Sequence, residues 1–141
     1  SSITLKSSLI KGLIAGIPSA IINSMLFYAF KNLGAINDVV MIQGSPLGVS
    51  QVIFSSIIFS LVAGFVYFII SIFVREAFRI FQRIAWLLLL ISFLNPFLFI
   101  PDVPVGFAIS LNIMHIVVAA AVIYVMKKHI PFLYEIYLRF P

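Results

Sequence analysis

Polar side chains lie inside long apolar stretches of the chain, and these are the residues whose types could bind a ligand. They are His115, Asn112, Asn23 and Ser60. Asn112 and His115 are three residues apart, so they share one face of a helix. Polar groups in such stretches normally face other protein groups, because an unpaired polar group is costly in lipid. We therefore expect His115 to be neutral, to point inward, and to form a hydrogen bond with Asn112, Asn23, Ser60 or a trapped water.

Two interpretations of His115 remain open. It could be a structural residue that joins helices through a hydrogen bond, or it could belong to a site for a lipid or another apolar ligand. Ionisable residues within a membrane are often functional, which keeps the second interpretation in play. Metal or haem ligation would need more ligands, and the other histidine, His129, lies in the C-terminal tail. We predict no metal and no cofactor.

The motifs of common enzyme classes are missing from this sequence. There is no cysteine, which excludes thiolate chemistry, and there is no HExxH motif, phosphate loop or glycine-rich nucleotide fingerprint. No carboxylate lies within an apolar stretch, which argues against a transporter that couples to protons or cations through an acidic residue. We expect a protein that is not an enzyme.

The composition indicates a membrane protein. Of the 141 residues, 63% are hydrophobic and only 9% are charged, whereas soluble domains carry about 25% charged residues. The net charge of +5 does not indicate nucleic-acid binding, because there is too little polar surface for a soluble domain. We predict one transmembrane domain over residues 1–141 with membrane lipids as its surroundings.

Charged residues divide the chain into four apolar stretches. Each is close to the roughly 20 residues that a helix needs to cross a bilayer, and the alternation expected of barrel strands is missing. The first stretch is longer than a signal-peptide core and lacks a cleavage site, which disfavours that alternative. The predicted helices cover approximately residues 9–30, 46–74, 77–100 and 103–128.

Prolines and their neighbours predict where these helices begin, bend or end. Ser45–Pro46 is typical of a helix start and predicts the N-terminus of the second span. Asp102, with a proline two positions later, predicts the start of the fourth. Asn95–Pro96 should kink or end the third helix, because a residue before proline avoids the helical region. Pro18 predicts a kink within the first helix.

The distribution of basic residues predicts the orientation. Eight of the nine lysines and arginines precede the first span, lie between the second and third, or follow the fourth. Lys31 alone lies on the opposite side, with Asp38 and Asp102. Because basic residues are retained on the cytoplasmic side, both termini should be cytoplasmic.

Small residues recur at every fourth position of the first span. They are Gly12, Gly16, Ala20 and Ser24. A similar stripe on the second span consists of Ser56, Ser60 and Gly64. Such stripes let backbones approach closely, and we expect the two to pack against each other within one bundle. The alternative is that the Gly12/Gly16 face binds a second copy of the chain or another protein.

Two features flank the spans. Arg75, Arg79 and Arg83 recur at intervals of four, and their pattern predicts one stripe of a helix that extends the third span into the cytoplasm. This stripe could bind anionic lipid headgroups, but a role in setting the topology is the favoured explanation. After Pro131, apolar residues at helical spacing predict a short in-plane segment, with a frayed tail as the alternative. Its apolar residues are Phe132, Leu133, Ile136, Tyr137 and Phe140.

Two local sequences resemble a known family. Residues 12–16 read Gly-Leu-Ile-Ala-Gly, with Asn23 further along the same helix, and residues 111–120 include the pair Met114–His115. These are similar to a family of small bacterial four-helix integral membrane proteins of unknown function, over roughly residues 10–130. The resemblance implies a four-helix fold in a bacterial inner membrane, and it implies no activity.

Together these observations predict an all-α fold. We expect a four-transmembrane-helix bundle, N-in and C-in, with a short interfacial C-terminal segment. The leading functional hypothesis is a non-catalytic protein with a small interior polar site around His115. The alternatives are an accessory or assembly subunit of a membrane complex and a small permease.

Overall fold

The computed structural model describes residues 3–128, 135–136 and 138–140. Within them the chain forms five α-helices and one antiparallel hairpin. The helices are α1 (Leu5–Asn32), α2 (Val49–Phe73), α3 (Ala77–Ser92), α4 (Asn95–Phe99) and α5 (Val105–Lys127), and the hairpin pairs β1 (Met41–Ile42) with β2 (Ser45–Pro46). His129 and most of the predicted in-plane segment, including Phe132, Leu133 and Tyr137, lie outside the described residues.

Three helices of the described residues are long and apolar enough to cross a membrane: α1, α2 and α5. Their outward-facing side chains are large and apolar, and Met25, Phe59 and Val105 are each more than half exposed. Soluble monomers rarely expose extended apolar surfaces of this kind. The fold is therefore mostly helical and compatible with a membrane protein.

The first helix begins earlier than the sequence pattern predicts. Thr4 Oγ1 accepts a hydrogen bond from the Ser7 N–H at 3.0 Å, and Ser7 Oγ accepts one from the Thr4 N–H at 3.2 Å. These reciprocal bonds satisfy backbone donors that a helix start leaves free. The helix then continues through Pro18 to Asn32.

The prediction that Ser45–Pro46 starts the second span is wrong. Gln43 and Gly44 both have positive φ angles, 52° and 87°, which is the geometry of a two-residue hairpin turn. Ser45 pairs with Ile42 across that turn. The second helix instead follows Gly48, whose N–H donates to the Gln51 side chain at 2.6 Å.

The predicted third helix, residues 77–100, is divided. α3 ends at Ser92, and α4 begins at Asn95 with proline in its first turn. Pro96 has no N–H, so it cannot donate the helical hydrogen bond to the Ser92 carbonyl at the end of α3. The prediction of a break at Asn95–Pro96 is confirmed.

The prediction that Asp102 starts the last span is also wrong. Asp102 has a φ of +52°, which aspartate tolerates better than most residues and which is not a helix-capping conformation. α5 begins at Val105, directly after Pro104 in extended conformation.

The small residues of α1 and α2 lie at the closest contact of the fold. A methyl group on Gly12 would lie 2.7 Å from the Ser60 backbone oxygen, and one on Gly16 would lie 3.0 Å from Ser60 Cβ. A methyl group on Gly64 would overlap the backbone oxygen of Ser8. The two stripes thus face each other, as predicted, and α2 occupies the Gly12/Gly16 face within one chain.

The remaining helices pack around α1 and leave one gap. α1 runs along both α2 and α5, whereas α2 and α5 touch each other much less. α3 joins their far ends, where the Tyr67 and Phe81 rings meet edge to face at 5.3 Å. At the hairpin end, a second core contains Phe27, Ile36 and Phe107. Between these two cores, a cleft separates α2 from α5.

Candidate functional site

Asn23 lies where α1, α2 and α5 meet, and its side chain is only 2% exposed. Its Nδ2 donates to Ser56 Oγ on α2 at 3.0 Å and to the Met114 carbonyl on α5 at 3.3 Å. Ser56 Oγ donates in turn to the Val52 carbonyl at 2.8 Å. One amide group therefore connects three helices.

The partners of Asn23 determine which way its amide points. The Met114 carbonyl can only accept a hydrogen bond, and the Ser56 hydroxyl proton is already given to Val52. Both partners therefore require the NH₂ group of Asn23 on their side. The amide oxygen, Oδ1, is buried and has no hydrogen-bond partner. It is an acceptor in a place where an unmet hydrogen bond is costly.

The cleft between α2 and α5 has a volume of about 140 Å³, and Asn23 contributes to its wall. Four of its lining residues are polar besides Asn23, and they are Gln51, Ser55, Ser56 and His115. Apolar residues line the rest: Leu47, Val52, Phe59, Leu111, Met114 and Val118. An apolar cavity with a few convergent polar groups is the usual form of a small-molecule site.

His115 lines this cleft but does not form the expected hydrogen bond. Its Nδ1 is buried and has no partner, and within the described residues no bond joins it to Asn112, Asn23 or Ser60. The side chain is partly buried rather than directed fully at the outer surface. The residue that joins the helices is Asn23, and His115 is a second cleft-lining residue with a buried polar atom that has no partner.

The side chain of Asn112 does not form the predicted hydrogen bond with His115 but contacts the end of α3. Its Nδ2 donates to the carbonyl of Phe93 at 3.2 Å, directly after the end of α3. A helix end leaves its last carbonyls without intrahelical partners, so Asn112 satisfies one of them. Asn112 is thus part of the contact between α5 and α3 and does not line the cleft.

Ser60 also lies outside the cleft. It is fully buried beneath the glycine stripe of α1, and its hydroxyl donates to the Ser56 carbonyl of its own helix at 2.8 Å. A serine that bonds to the carbonyl four residues earlier has no further donor to offer. The structural role of Ser60 follows from its small side chain, which allows α1 to approach α2 closely.

Of the residues that line the cleft, only Asn23 and His115 were recognised as site residues from the sequence; those missed include Ser56, Gln51 and Phe59. Ser56 was assigned only to the small stripe, although it also accepts the Asn23 hydrogen bond. Gln51 lies near the start of the predicted span, and Phe59 resembles any other aromatic residue that faces lipid. The packing of α2 and α5 against α1 brings these positions to one cavity.

The three arginines do not form a single helical stripe. Arg75 lies in the turn before α3, while Arg79 and Arg83 lie on the helix, and all three are exposed. Arg79 forms an ion pair with Glu76 at 3.1 Å, and such an exposed pair contributes little to stability. The arginines remain available at the end of the molecule that carries Lys127 and Lys128.

A larger hollow of about 520 Å³ lies at the other end, between the hairpin region and the turn before α5. Its polar side chains are Asn37 and Asp102. Asn37 Oδ1 already accepts hydrogen bonds from the N–H groups of Val39 and Val40. This hollow is a gap between surface loops, and its polar groups do not converge on one point. Nor do three His, Asp or Glu side chains of the described residues lie close enough to hold a metal ion.

The fold and the cleft define an α-helical protein with membrane-compatible helices and a small cavity, and two of the residues that line the cavity have buried polar atoms without partners. Residues 4–130 match the family described as Family of unknown function (DUF6069). The chain belongs to this family, which confirms the predicted membership in a family of unknown function. No curated protein and no solved structure matches the chain.

Proposed function

We propose that the protein is a four-span integral membrane protein, with α3 and α4 together forming the fourth crossing. α3 rises about 24 Å and α4 about 8 Å, which together match the roughly 30 Å of bilayer hydrocarbon. Phe93 and Leu94, between the two helices, both keep right-handed helical backbone angles. The backbone therefore keeps a helical conformation across the break, which supports one interrupted span.

The positions of the basic residues support cytoplasmic termini. Lys6, Lys127 and Arg79 lie at the same end of the helix bundle, because α1 begins there, α5 ends there and α3 begins there. Lys31 and Asp38 lie at the hairpin end, where they form an exposed ion pair at 3.4 Å. By the positive-inside rule the first end is cytoplasmic. With the resemblance noted above, this favours the inner membrane of a bacterium.

Cysteine labelling tests this topology directly, since the chain contains no cysteine of its own. Single cysteines at Ile3, Arg79 and Lys128 should react with a membrane-impermeant maleimide only after the cells are opened. Cysteines at Val39 and Asp102 should react in intact cells. All five positions are exposed, so accessibility depends on the side of the membrane alone.

A buried position provides the control for labelling. Ser8 is 1% exposed, against α2, so a cysteine there should stay unlabelled until the protein is denatured. Reaction of Arg79→Cys in intact cells would contradict the orientation. Labelling of Lys128→Cys and Asp102→Cys from the same side would contradict the even number of crossings.

We further propose that the protein binds a lipid or another apolar molecule in the cleft between α2 and α5, and that it is not an enzyme. The observation that carries this proposal is the pair of buried, unpartnered polar atoms, Asn23 Oδ1 and His115 Nδ1, on residues that line one cavity. Both residues and Ser56 lie about 10–15 Å along their helices from the hairpin end, a depth inside the hydrocarbon. A ligand that reaches this depth has to be largely apolar.

The geometry supports binding better than catalysis. Ser56 already gives its hydroxyl proton to the Val52 carbonyl, and the residues that line the cleft include no carboxylate to orient His115, whereas nucleophilic catalysis needs a nucleophile, a base and a group that orients the base. Burial of an unpaired polar atom is unfavourable by about 1–3 kcal/mol. A ligand that supplies the missing hydrogen bond regains part of this energy on binding.

His115→Leu separates ligand binding from structural support. His115 Nδ1 has no protein partner. The free energy of unfolding of the variant should therefore lie within about 0.5 kcal/mol of the wild-type value. Asn112→Leu, the matched control, loses a hydrogen bond outside the cleft and should be the less stable of the two. Thermal unfolding in detergent measures stability, and mass spectrometry of extracted molecules measures what co-purifies.

We expect His115→Leu to lose the co-purifying molecule and to keep its stability. We expect Asn112→Leu to keep the co-purifying molecule and to lose stability. If His115→Leu is clearly destabilised and nothing co-purifies with the wild type, His115 is a structural residue and the binding proposal is wrong. A stoichiometric protein partner in place of a small molecule would indicate an accessory subunit of a membrane complex instead.

The exposed arginines support a second contact with lipid. Arg75, Arg79 and Arg83 all lie at the proposed cytoplasmic surface, where anionic headgroups are present. Each basic residue at such a surface contributes about 1 kcal/mol of attraction. We propose that these residues bind headgroups and hold α3 at its proper depth.

A further inference from the structure

The cleft between α2 and α5 is open on its α2 side, where it adjoins the surrounding lipid. Gln51, Ser55 and Phe59 line the cleft and are also exposed. They follow one another at intervals of four residues, so they share one face of α2. Asn23 and Met114, which also line the cleft, are buried and close it on the α1 side. A ligand therefore enters sideways from the membrane, an inference that rests on the membrane span and the binding function proposed above.

The open wall changes from polar to apolar with distance from the hairpin end. At 1.5 Å per residue, Gln51, Ser55 and Phe59 lie about 3, 9 and 15 Å from the start of α2. Half of the bilayer hydrocarbon is about 15 Å thick, so this wall runs from one membrane surface to the middle of the membrane. A membrane lipid has the same order of polarity, with its ester groups near the surface and its chain ends in the middle.

The two polar residues of this wall have hydrogen-bond donors that the fold does not use. Gln51 Oε1 accepts from the Gly48 N–H at 2.6 Å, which leaves the NH₂ group of the amide without a partner among the described residues. Ser56 and Ser60 donate to carbonyls of their own helix. The Ser55 hydroxyl, in contrast, forms no hydrogen bond within the part of the chain that the structure describes. The group that fits this wall is a hydrogen-bond acceptor, such as the oxygen atoms of an ester.

Charge and volume limit which part of a lipid occupies the cleft. The lining residues include no lysine, arginine, aspartate or glutamate, so a charged head group would lose its hydration without compensation. The volume of about 140 Å³ is the space of four to five water molecules at about 30 Å³ each, which is too small for a whole lipid. The cleft thus holds an ester and the first part of one chain, while the head group stays at the hairpin end.

We propose that the cleft binds one ester-linked acyl chain of a glycerolipid from the leaflet at the hairpin end. The ester lies at Gln51 and Ser55, and the chain runs past Phe59 to the middle of the membrane. Recognition depends on the ester and the chain, because the head group lies outside the cleft.

Photolabelling tests the position and orientation of this lipid on the full chain. The protein is placed in nanodiscs of ether-linked phosphatidylcholine, which has no ester carbonyl. Two ester-linked phosphatidylcholine probes carry a diazirine, one beside the ester and one at the end of the chain. We expect the first to label Gln51 and the second to label Phe59, with both signals saturating as the fraction of probe rises. Phe54 is exposed on the same helix outside the cleft, so its labelling should rise in proportion to the probe.

Competition measures the recognition of the ester. Unlabelled ester-linked phosphatidylcholine should displace the probes about tenfold better than the ether-linked lipid, as expected for two modest hydrogen bonds. Ser55→Ala should reduce this preference to about threefold, whereas Ser50→Ala, at an exposed serine outside the cleft, should leave it unchanged. Gln51→Glu keeps an oxygen for the Gly48 N–H but loses the NH₂ group, so it should reduce the preference at least as much.

A bulky residue on the open wall tests whether the cleft itself is the site. Ser55→Phe should abolish the saturable labelling of Phe59 and leave that of Phe54 unchanged. The fold should tolerate this change, because Ser55 is exposed and uses its hydroxyl for no hydrogen bond within the described residues.

The outcomes distinguish this inference from the binding function on which it rests. Equal displacement by ester-linked and ether-linked lipids would overturn the ester contact. Labelling of Phe59 by the probe with its diazirine beside the ester, and of Gln51 by the chain-end probe, would overturn the orientation. Labelling of the cleft that does not saturate would overturn the lipid as the ligand. The binding function is decided separately, by whether a molecule co-purifies with the wild type and is lost in His115→Leu.

Discussion

Gly64→Ala should lower the free energy of unfolding by about 2 kcal/mol, although it adds only one methyl group. That methyl would overlap the backbone oxygen of Ser8 and lie 3.2 Å from its carbonyl carbon. A backbone atom cannot rotate away as a side chain can, so α1 and α2 must separate. Separation weakens packing along the whole stripe, because close approach is the main source of association between helices in lipid.

The control for this prediction is another helical glycine with free space around it. A methyl on Gly106 of α5 would lie 3.9 Å from Ala35, an ordinary contact, so Gly106→Ala should be neutral or slightly stabilising. Gly12→Ala should resemble Gly64→Ala, because its methyl meets the Ser60 backbone oxygen at 2.7 Å. Denaturant titration in mixed micelles measures all three. Equal stability of Gly64→Ala and Gly106→Ala would show that the helices do not approach as described.

Asn23→Asp should lower the free energy of unfolding by about 3 kcal/mol despite being nearly isosteric. The change replaces the NH₂ group that donates to Ser56 Oγ and the Met114 carbonyl with an oxygen. A carboxylate oxygen would then face a carbonyl oxygen at 3.3 Å with no cation in the cleft. Asn23→Leu should be milder, about 1 kcal/mol, since it removes the bonds without adding charge.

The same chemical change at a different asparagine provides the control. Asn37 uses its Oδ1 to accept from the N–H groups of Val39 and Val40, so Asn37→Asp keeps both hydrogen bonds and should not be destabilising. Comparison of unfolding curves in mixed micelles isolates the buried contact. A smaller loss for Asn23→Asp than for Asn23→Leu would mean that the Asn23 amide does not join the three helices.

The local sequence predicted the first residue of a helix incorrectly where the chain forms a turn before the helix. Ser45–Pro46 has the composition of a helix N-terminus, yet the positive φ angles of Gln43 and Gly44 turn the chain back and pair Ser45 with Ile42. Glycine adopts a positive φ freely, whereas Gln43 is held in that conformation by the surrounding structure. The gain from pairing the two strands is not visible in a local pattern of capping residues.

Asn112 and His115 do lie three residues apart on one helix, as expected, but the hydrogen bond predicted between them does not form. Positions three apart differ by about 60° around a helix, and that angle is enough to direct the two side chains to different neighbours. Asn112 meets the end of α3, and His115 lines the cleft beside α2. The sequence cannot supply this distinction, because it depends on where α3 ends relative to α5.

The sequence by itself determined the apolar helices, the break at Asn95–Pro96 and the facing stripes of small residues. These follow from hydrophobicity, from the missing N–H of proline and from side-chain volume, which are properties of each residue and its near neighbours. Only the tertiary structure decided that Asn23 joins three helices and that Ser60 lies outside the cleft. Hydrogen bonds between distant segments depend on helix rotation and separation, and many sequences with the same pattern of apolar residues could pack at other angles.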